Sequence, residues 1–490
     1  MRIASTKDDI SSIFTPGMLA CAFAYAALKL VGSITNGYLY PLVATTDGWI
    51  KEISTLVIAA TFLAITAVAC RKPQIVRAPA LVALACVFTL AAIAFVGAGL
   101  SAHNVALLSL GIFCRSTGRA LTLCLFALCL VQLESGKQVS FAIALGLFIF
   151  SVLDLFRGAI GTPLNAILLL GAVQIIVAVW AMKPASRVLD ITSAGDSVDD
   201  LKLADPTAFL PVFHGVFVCI LLFSAASGFA LTFNEVASAP PTLLANTPLL
   251  ALLLLFLLLS WGNKREDVLF TLSVLIVMAG FLTTPLSFNE TFANTSSTLL
   301  RFGEQCFDVL AWTVVAAIGR RNVYGCLVSA GVMQVMSSIG TLIGAMSGHI
   351  TNDFVHTDFF MATGFALTMV FAFFCGAASA PSASPMPSSR SQPSATPARA
   401  SGVNLPENLC LTAMRRWLRA PKMASHALGA PSTRRRAPHP RRLRRRRAAR
   451  RRGRANTSLV DRIARNLLLR DMVVEHTANL MQIRARPPGQ

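Results

Sequence analysis

The sequence predicts an all-α, polytopic membrane protein of about twelve transmembrane helices arranged as six plus six, and three observations predict it. Of 490 residues, 54% are hydrophobic and only 13% charged, where a soluble chain carries about a quarter of its residues as Asp, Glu, Lys and Arg. Mean hydropathy is +0.63. Apolar runs of the roughly 20 residues that a spanning helix needs recur along the first three quarters of the chain, and one polar stretch, Lys183 to Pro206 with five Asp, divides them into two equal sets. A soluble cytosolic protein is excluded.

The runs fall at residues 14–40, 53–70, 78–100, 104–133, 138–157 and 163–182, then at 208–232, 243–262, 266–283, 296–319, 323–347 and 354–376. The first does not read as a cleaved leader and is expected to stay in the mature protein, since Asp8 and Asp9 precede it and no small-residue cleavage signal follows a short apolar core. The fourth run is about thirty residues long and leaves room for a tilt or a break near Gly118. The membrane body is thus expected over residues 1–376, with halves 1–182 and 208–376 joined by a loop at 183–207.

The Lys/Arg bias of the short loops predicts the orientation. With the N-terminus inside, the inside segments hold thirteen basic residues, from Arg2 and Lys7 to Arg320 and Arg321, and the outside segments hold Lys51 and Arg157. Both termini are expected in the cytoplasm of a plasma-membrane protein. Asn289-Glu290-Thr291 and Asn294-Thr295-Ser296 match glycosylation acceptors on an outside loop.

The formal charge of +20 belongs to the tail. Up to Phe374 the chain has nineteen basic and nineteen acidic residues, and beyond it twenty-four basic and four acidic ones. Residues 377–410 form a Ser/Pro/Ala-rich linker, flexible by composition. Residues 411–455 are Arg-rich, with 13 Arg among the 21 residues Arg434–Arg454. Such a run has nothing to bury and is expected to stay disordered, drawn to the anionic inner leaflet or to nucleic acid. In residues 456–490, Leu459, Val460, Ile463, Leu467 and Leu468 recur at helical spacing, and after Arg470-Asp471 so do Val473, Val474, Leu480 and Ile483. Two short helices about a turn have the outline of a helix-turn-helix.

Ionisable residues inside a span are costly and mark functional sites by default. Arg115 and Arg119 share one face of the fourth run; Arg301, Glu304 and Asp308 share one face of the tenth. The faces are opposite in sign. They form either a pocket for a polar small-molecule ligand or structural ion pairs between the halves, or they are side chains that snorkel to a nearby interface. Asp154 and Lys29 are weaker candidates, taken to lie near span ends. Gly340 and Gly344 form a Gly-x-x-x-Gly in an apolar run, which favours close helix packing within the body over dimerisation. Eleven scattered cysteines contain no Cys-x-x-Cys and no metal-ligand spacing with His. No metal, no cofactor and no enzymatic activity are expected, since neither a nucleophile-base arrangement nor a Gly-rich phosphate loop occurs.

The six-plus-six arrangement resembles the major facilitator fold, whose halves enclose a central cavity near the bilayer midplane. That family's Gly/Asp/Arg signature between helices two and three is replaced here by Arg71-Lys72-Pro73-Gln74-Ile75-Val76-Arg77. The tail carries a second resemblance. Gly453-Arg454, Ile463-Ala464 and Val473-Val474-Glu475-His476-Thr477-Ala478-Asn479-Leu480 are similar to the C-terminal part of a LuxR-type DNA-binding domain. Gln305-Cys306-Phe307-Asp308-Val309-Leu310-Ala311-Trp312 followed by Gly319-Arg320-Arg321 resembles the tenth span of actinobacterial regulators that join a twelve-span body to such a domain.

These resemblances imply a membrane-bound transcriptional regulator, with Arg470, Val474, Glu475, His476 and Asn479 at the DNA. Met472 and Val474 stand where the family pattern has Thr and Lys, and the Arg-rich run occupies the place of the domain's first helices, a composition that shifted codons of a GC-rich gene produce. The alternative is a major-facilitator-type secondary transporter with a basic cytoplasmic tail.

Overall fold

The computed structural model describes residues 13–44, 49–71, 75–193, 215–233, 246–259, 265–286, 290–321, 323–354 and 359–379. Among them twelve long helices follow one another and no strand occurs: α1 (Pro16–Ile34), α2 (Ile50–Arg71), α3 (Ala78–Ala102), α4 (Val105–Val131), α5 (Gly136–Asp154), α6 (Pro163–Ser193), α7 (Gly215–Thr232), α8 (Asn246–Leu258), α9 (Arg265–Thr283), α10 (Glu290–Arg321), α11 (Val323–Phe354) and α12 (Phe359–Ser379). Nine spans in this set are long and apolar enough to cross a membrane, and α8 and α12 hold shorter apolar stretches. The remaining helix, α10, is too polar for that test because it carries Arg301, Glu304 and Asp308; it crosses enclosed by α4, α5, α7 and α9. Large apolar side chains face outward along the other helices, among them Leu84, Val87, Leu90, Ile176, Leu252 and Phe371. Lipid is the medium that such a surface requires. The chain is a multi-pass, all-helical membrane protein.

Local chemistry starts and stops the helices. Thr15 caps α1 by accepting the Met18 N–H at 3.2 Å, with Pro16 at the first helical position. His103, at φ 48°, ends α3, and Asn104 then caps α4 by accepting the N–H groups of Ala106 and Leu107. This tight connection makes α3 and α4 antiparallel neighbours.

Small residues set the packing, and the two halves repeat it. A Cβ on Gly99 of α3 would lie 2.9 Å from Leu108 of α4, and a Cβ on Gly280 of α9 would lie 2.8 Å from Leu300 of α10. Gly111 of α4 sits against Val96 of α3 just as Gly303 of α10 sits against Val277 of α9. Gly146 brings α5 onto the Ala22 carbonyl of α1, and Gly340 brings α11 onto the Leu221 carbonyl of α7. Spans four and ten are therefore equivalent by packing. In this register Arg115 corresponds to Phe307 and Arg119 to Ala311, so the cationic and acidic faces sit at different heights. Gly344 meets the Ala225 carbonyl of α7, which places the Gly-x-x-x-Gly contact inside the second half.

Several expectations need correction. The fourth span is not broken: α4 runs through Gly118, which rests on Gln174 and Thr89. The loop expected from Lys183 begins as helix. α6 continues through Pro184 to Ser193 because Ala185, Val188 and Leu189 are buried, and its 31 residues reach about 46 Å, beyond the hydrocarbon core. Asn294 is not in a loop but in the first turns of α10, where its carbonyl accepts the Thr298 hydroxyl at 2.7 Å. Lys29 is not near a span end, because the first span passes from α1 through a π-helical turn (Thr35–Leu39) and a short helix (Tyr40–Ala44). The tail residues, including Arg470, Val474, Glu475, His476 and Asn479, lie outside the described residues.

Candidate functional site

The halves meet differently at the two ends of the bundle. On the face where α1 begins, Ser140 of α5 bonds Thr313 of α10 at 3.0 Å, and the Cys326 thiol of α11 contacts the Ala127 carbonyl of α4 at 3.9 Å. Tyr25, Phe126 and Trp312 form an aromatic floor above this seal, with centroids 5.4 to 6.2 Å apart. From the floor toward the far face extends a cavity of about 520 Å³, lined by α1, α2, α4 and α5 of the first half and α7, α8, α10 and α11 of the second. At the far face the halves still touch, through Ser151 and Thr247 (2.6 Å) and through Glu52 and His349 (3.5 Å).

The lining is polar and charged. Lys29 Nζ of α1 lies 2.7 Å from Asp308 Oδ2 of α10, and the Tyr25 hydroxyl donates to the same carboxylate oxygen. These groups tie the halves together at mid-depth. Asp154 accepts the Ser33 hydroxyl and lies 3.9 Å from Arg157, whose Nη1 donates to Ser33 at 2.9 Å. The π-helical turn brings Asn36 to the wall and leaves Gly37 open for the Arg157 side chain to lie across it. Such turns often mark functional sites.

Four of the five singled-out intramembrane residues, Arg119, Arg301, Glu304 and Asp308, line this one cavity. Arg115 lies behind it, fully buried, its Nη2 donating to the Val31 carbonyl at 2.9 Å. The guanidinium of Arg119 lies across Gly32, where a Cβ would sit 3.1 Å from Nη2. Among the described residues neither Arg119 nor Arg301 forms an ion pair of 4.0 Å or less, and the Nε of each is buried without a hydrogen-bond partner. Glu304 stands one turn from both Arg301 and Asp308 on α10. Sequence reasoning missed Tyr25, Glu52 and His349. Glu52 stands beside Lys51 just before the second apolar run, where a charge reads as part of the outside loop.

No group of His, Cys, Asp and Glu able to hold a metal occurs among the described residues. No family model and no curated protein matches the chain. Solved structures do match it. An E. coli fucose:proton symporter aligns at TM-score 0.47 and 12% identity over 75% of this chain and 98% of that one. A bacterial homologue of the iron transporter ferroportin, outward-facing, aligns at 0.48 and 15% over 74% and 98%. The human organic anion transporter MFSD10 aligns at 0.45 and 12% over 74% and 100%. Identities this low say nothing about a solute.

Proposed function

We propose that the chain is a secondary transporter of the facilitator type, in which two six-helix halves rock about a central polar cavity and expose it to alternate sides of the plasma membrane. The observation that carries this reading is the cavity itself: it lies at the seam of two halves with repeated packing, and is sealed at one face by contacts between them. A polar, charged chamber at mid-depth is costly to maintain in a membrane unless it is used. The Lys/Arg bias supports a cytoplasmic position for the sealed face and for both termini.

Distance measurement between spin labels tests the rocking. Lys137→Cys and Arg320→Cys place labels on the sealed face, one on each half, where both native side chains are exposed. The background replaces Cys70, Cys86, Cys114, Cys375 and Cys410 by Ala. In lipid vesicles we expect a second, longer distance population beside the one that fits this conformation. A single population under all conditions overturns the reading.

The regulator reading, with DNA as partner, is favoured by one observation, the His476-Thr477-Ala478-Asn479 motif of the tail. It stands second because the cavity requires no DNA-binding tail.

A further inference from the structure

We infer that the cavity is an anion site, in which Arg119 of the first half and Arg301 of the second jointly hold the carboxylate, phosphate or sulfate group of a small free solute; the inference rests on the transport reading and names its solute class. The cavity's charges do not balance: five cationic side chains, Lys29, Lys51, Arg119, Arg157 and Arg301, line it against four carboxylates, Glu52, Asp154, Glu304 and Asp308. Lys29 is matched by Asp308, Arg157 by Asp154, and Glu52 faces His349. Glu304 stands one turn from Arg301, and it is the last carboxylate in the lining. Arg119 has none, and Arg115, one turn away on α4, has the Val31 carbonyl and the Tyr40 hydroxyl, neither of them a carboxylate. Arginine cannot shed its proton to escape burial. A half-buried guanidinium whose Nε has no partner and which has no counter-charge of its own is unfavourable in a low-dielectric body, and a cavity that admits an anion reduces that cost.

The geometry suits such a guest. Gly32 has no side chain, so the Arg119 fork lies flat against α1 with its terminal nitrogens at the cavity wall. Arg301 lines the same chamber from α10 with its Nε unpartnered. Guanidinium forks match the planar oxygen pairs of carboxylates and phosphates. Asn36, Gln334, Ser337 and Thr341 offer neutral hydrogen-bonding groups for the remainder of the solute, and about 520 Å³ admits a molecule of several non-hydrogen atoms beyond the anionic group.

The test uses the full chain in neutral detergent, with melting followed by a thiol-reactive dye. Cys124, Cys306 and Cys326 are buried in the body and report its unfolding, so phosphate bound by the tail's arginines does not register. Inorganic phosphate is the probe, with chloride at equal ionic strength, glucose and phosphatidylglycerol as the other arms. We expect about 50 mM phosphate to raise the melting temperature by about 2–5 °C over chloride and glucose. The rise should vanish in both Arg119→Gln and Arg301→Gln. Without phosphate, Arg119→Gln should melt no lower than the parent, because an unmatched half-buried charge has gone.

No phosphate-specific rise, a rise that survives both substitutions, or an Arg119→Gln protein that melts lower without phosphate overturns the inference. So does a rise with phosphatidylglycerol alone, which makes the guest a lipid headgroup. Failure here with two spin-label distances leaves a transporter of another solute class. A phosphate rise with one distance leaves an anion binder that does not transport.

Discussion

Lys29 and Asp308, 2.7 Å apart, join α1 of the first half to α10 of the second at the depth of the aromatic floor. Their side chains are 26% and 16% exposed, so neither charge is well solvated. Removing one partner leaves the other half-buried without its nearest counter-charge, which costs about 1–3 kcal/mol, whereas removing both removes the penalty with the attraction. Lys29→Met and Asp308→Leu should each lower the melting temperature markedly, and the double variant should recover much of the loss. Thermal melts of the four proteins check this, and additive losses would show that the pair is not energetically coupled.

The route from sequence to this pair shows what hydropathy can and cannot reveal. Each of the twelve helices overlaps an apolar run, since lipid rewards long apolar stretches whatever their partners. The ends shift where burial extends a helix: α6 passes Lys183 because Val188 and Leu189 are buried, and α10 starts at Glu290, before its apolar run, because the buried Ala293 and Ser296 pack in its first turns. The charges on α4 and α10 were legible because a charge inside an apolar run is rare. Their partners were not. Lys29 meets Asp308 across 279 residues of sequence through the docking of two halves, and no spacing rule reaches that far. The π-helical turn at Thr35–Leu39 depends on one inserted residue, which a periodicity of 3.6 does not reveal.

Glycine packing predicts a sharp contrast between two positions of the second half. Gly344 of α11 touches the Ala225 carbonyl and the Phe229 N–H region of α7, while Gly364 of α12 has nothing within 4 Å of an added Cβ. Gly344→Val should cost at least about 1–3 kcal/mol, because the two backbones must separate. Gly364→Ala should be neutral or slightly stabilising in its helix. Folded yield and melting temperature in detergent measure both, and equal behaviour would mean that α7 and α11 do not pack as described.

The orientation yields a labelling prediction. Leu155, at the far end of α5, is 72% exposed, and Lys137 at its start is also exposed. In intact cells, in the cysteine-depleted background, a membrane-impermeant maleimide should label Leu155→Cys and leave Lys137→Cys unlabelled until the cells are opened. The reverse pattern would put the sealed face outside and invert the topology that the Lys/Arg bias supports.

The tail separates the two readings of function. Twenty-four basic residues beyond Phe374 attract any polyanion, so DNA binding alone does not make a regulator. Binding carried by arginines on phosphates should fall by about 10³ or more between roughly 50 and 200 mM salt and show little sequence preference. Base reading by Arg470, His476 and Asn479 would instead leave a preferred sequence bound at the higher salt, since each good base contact adds about 1–3 kcal/mol of discrimination. Glu475 opposes such reading, because it places a negative charge on the segment that must approach phosphates. We therefore expect the full chain to bind duplexes of unrelated sequence equally, and a chain ended at Gly402 to lose that binding. Selection from a random duplex pool at about 200 mM salt measures the difference, and one enriched sequence that depends on His476 and Asn479 would return the protein to the regulators.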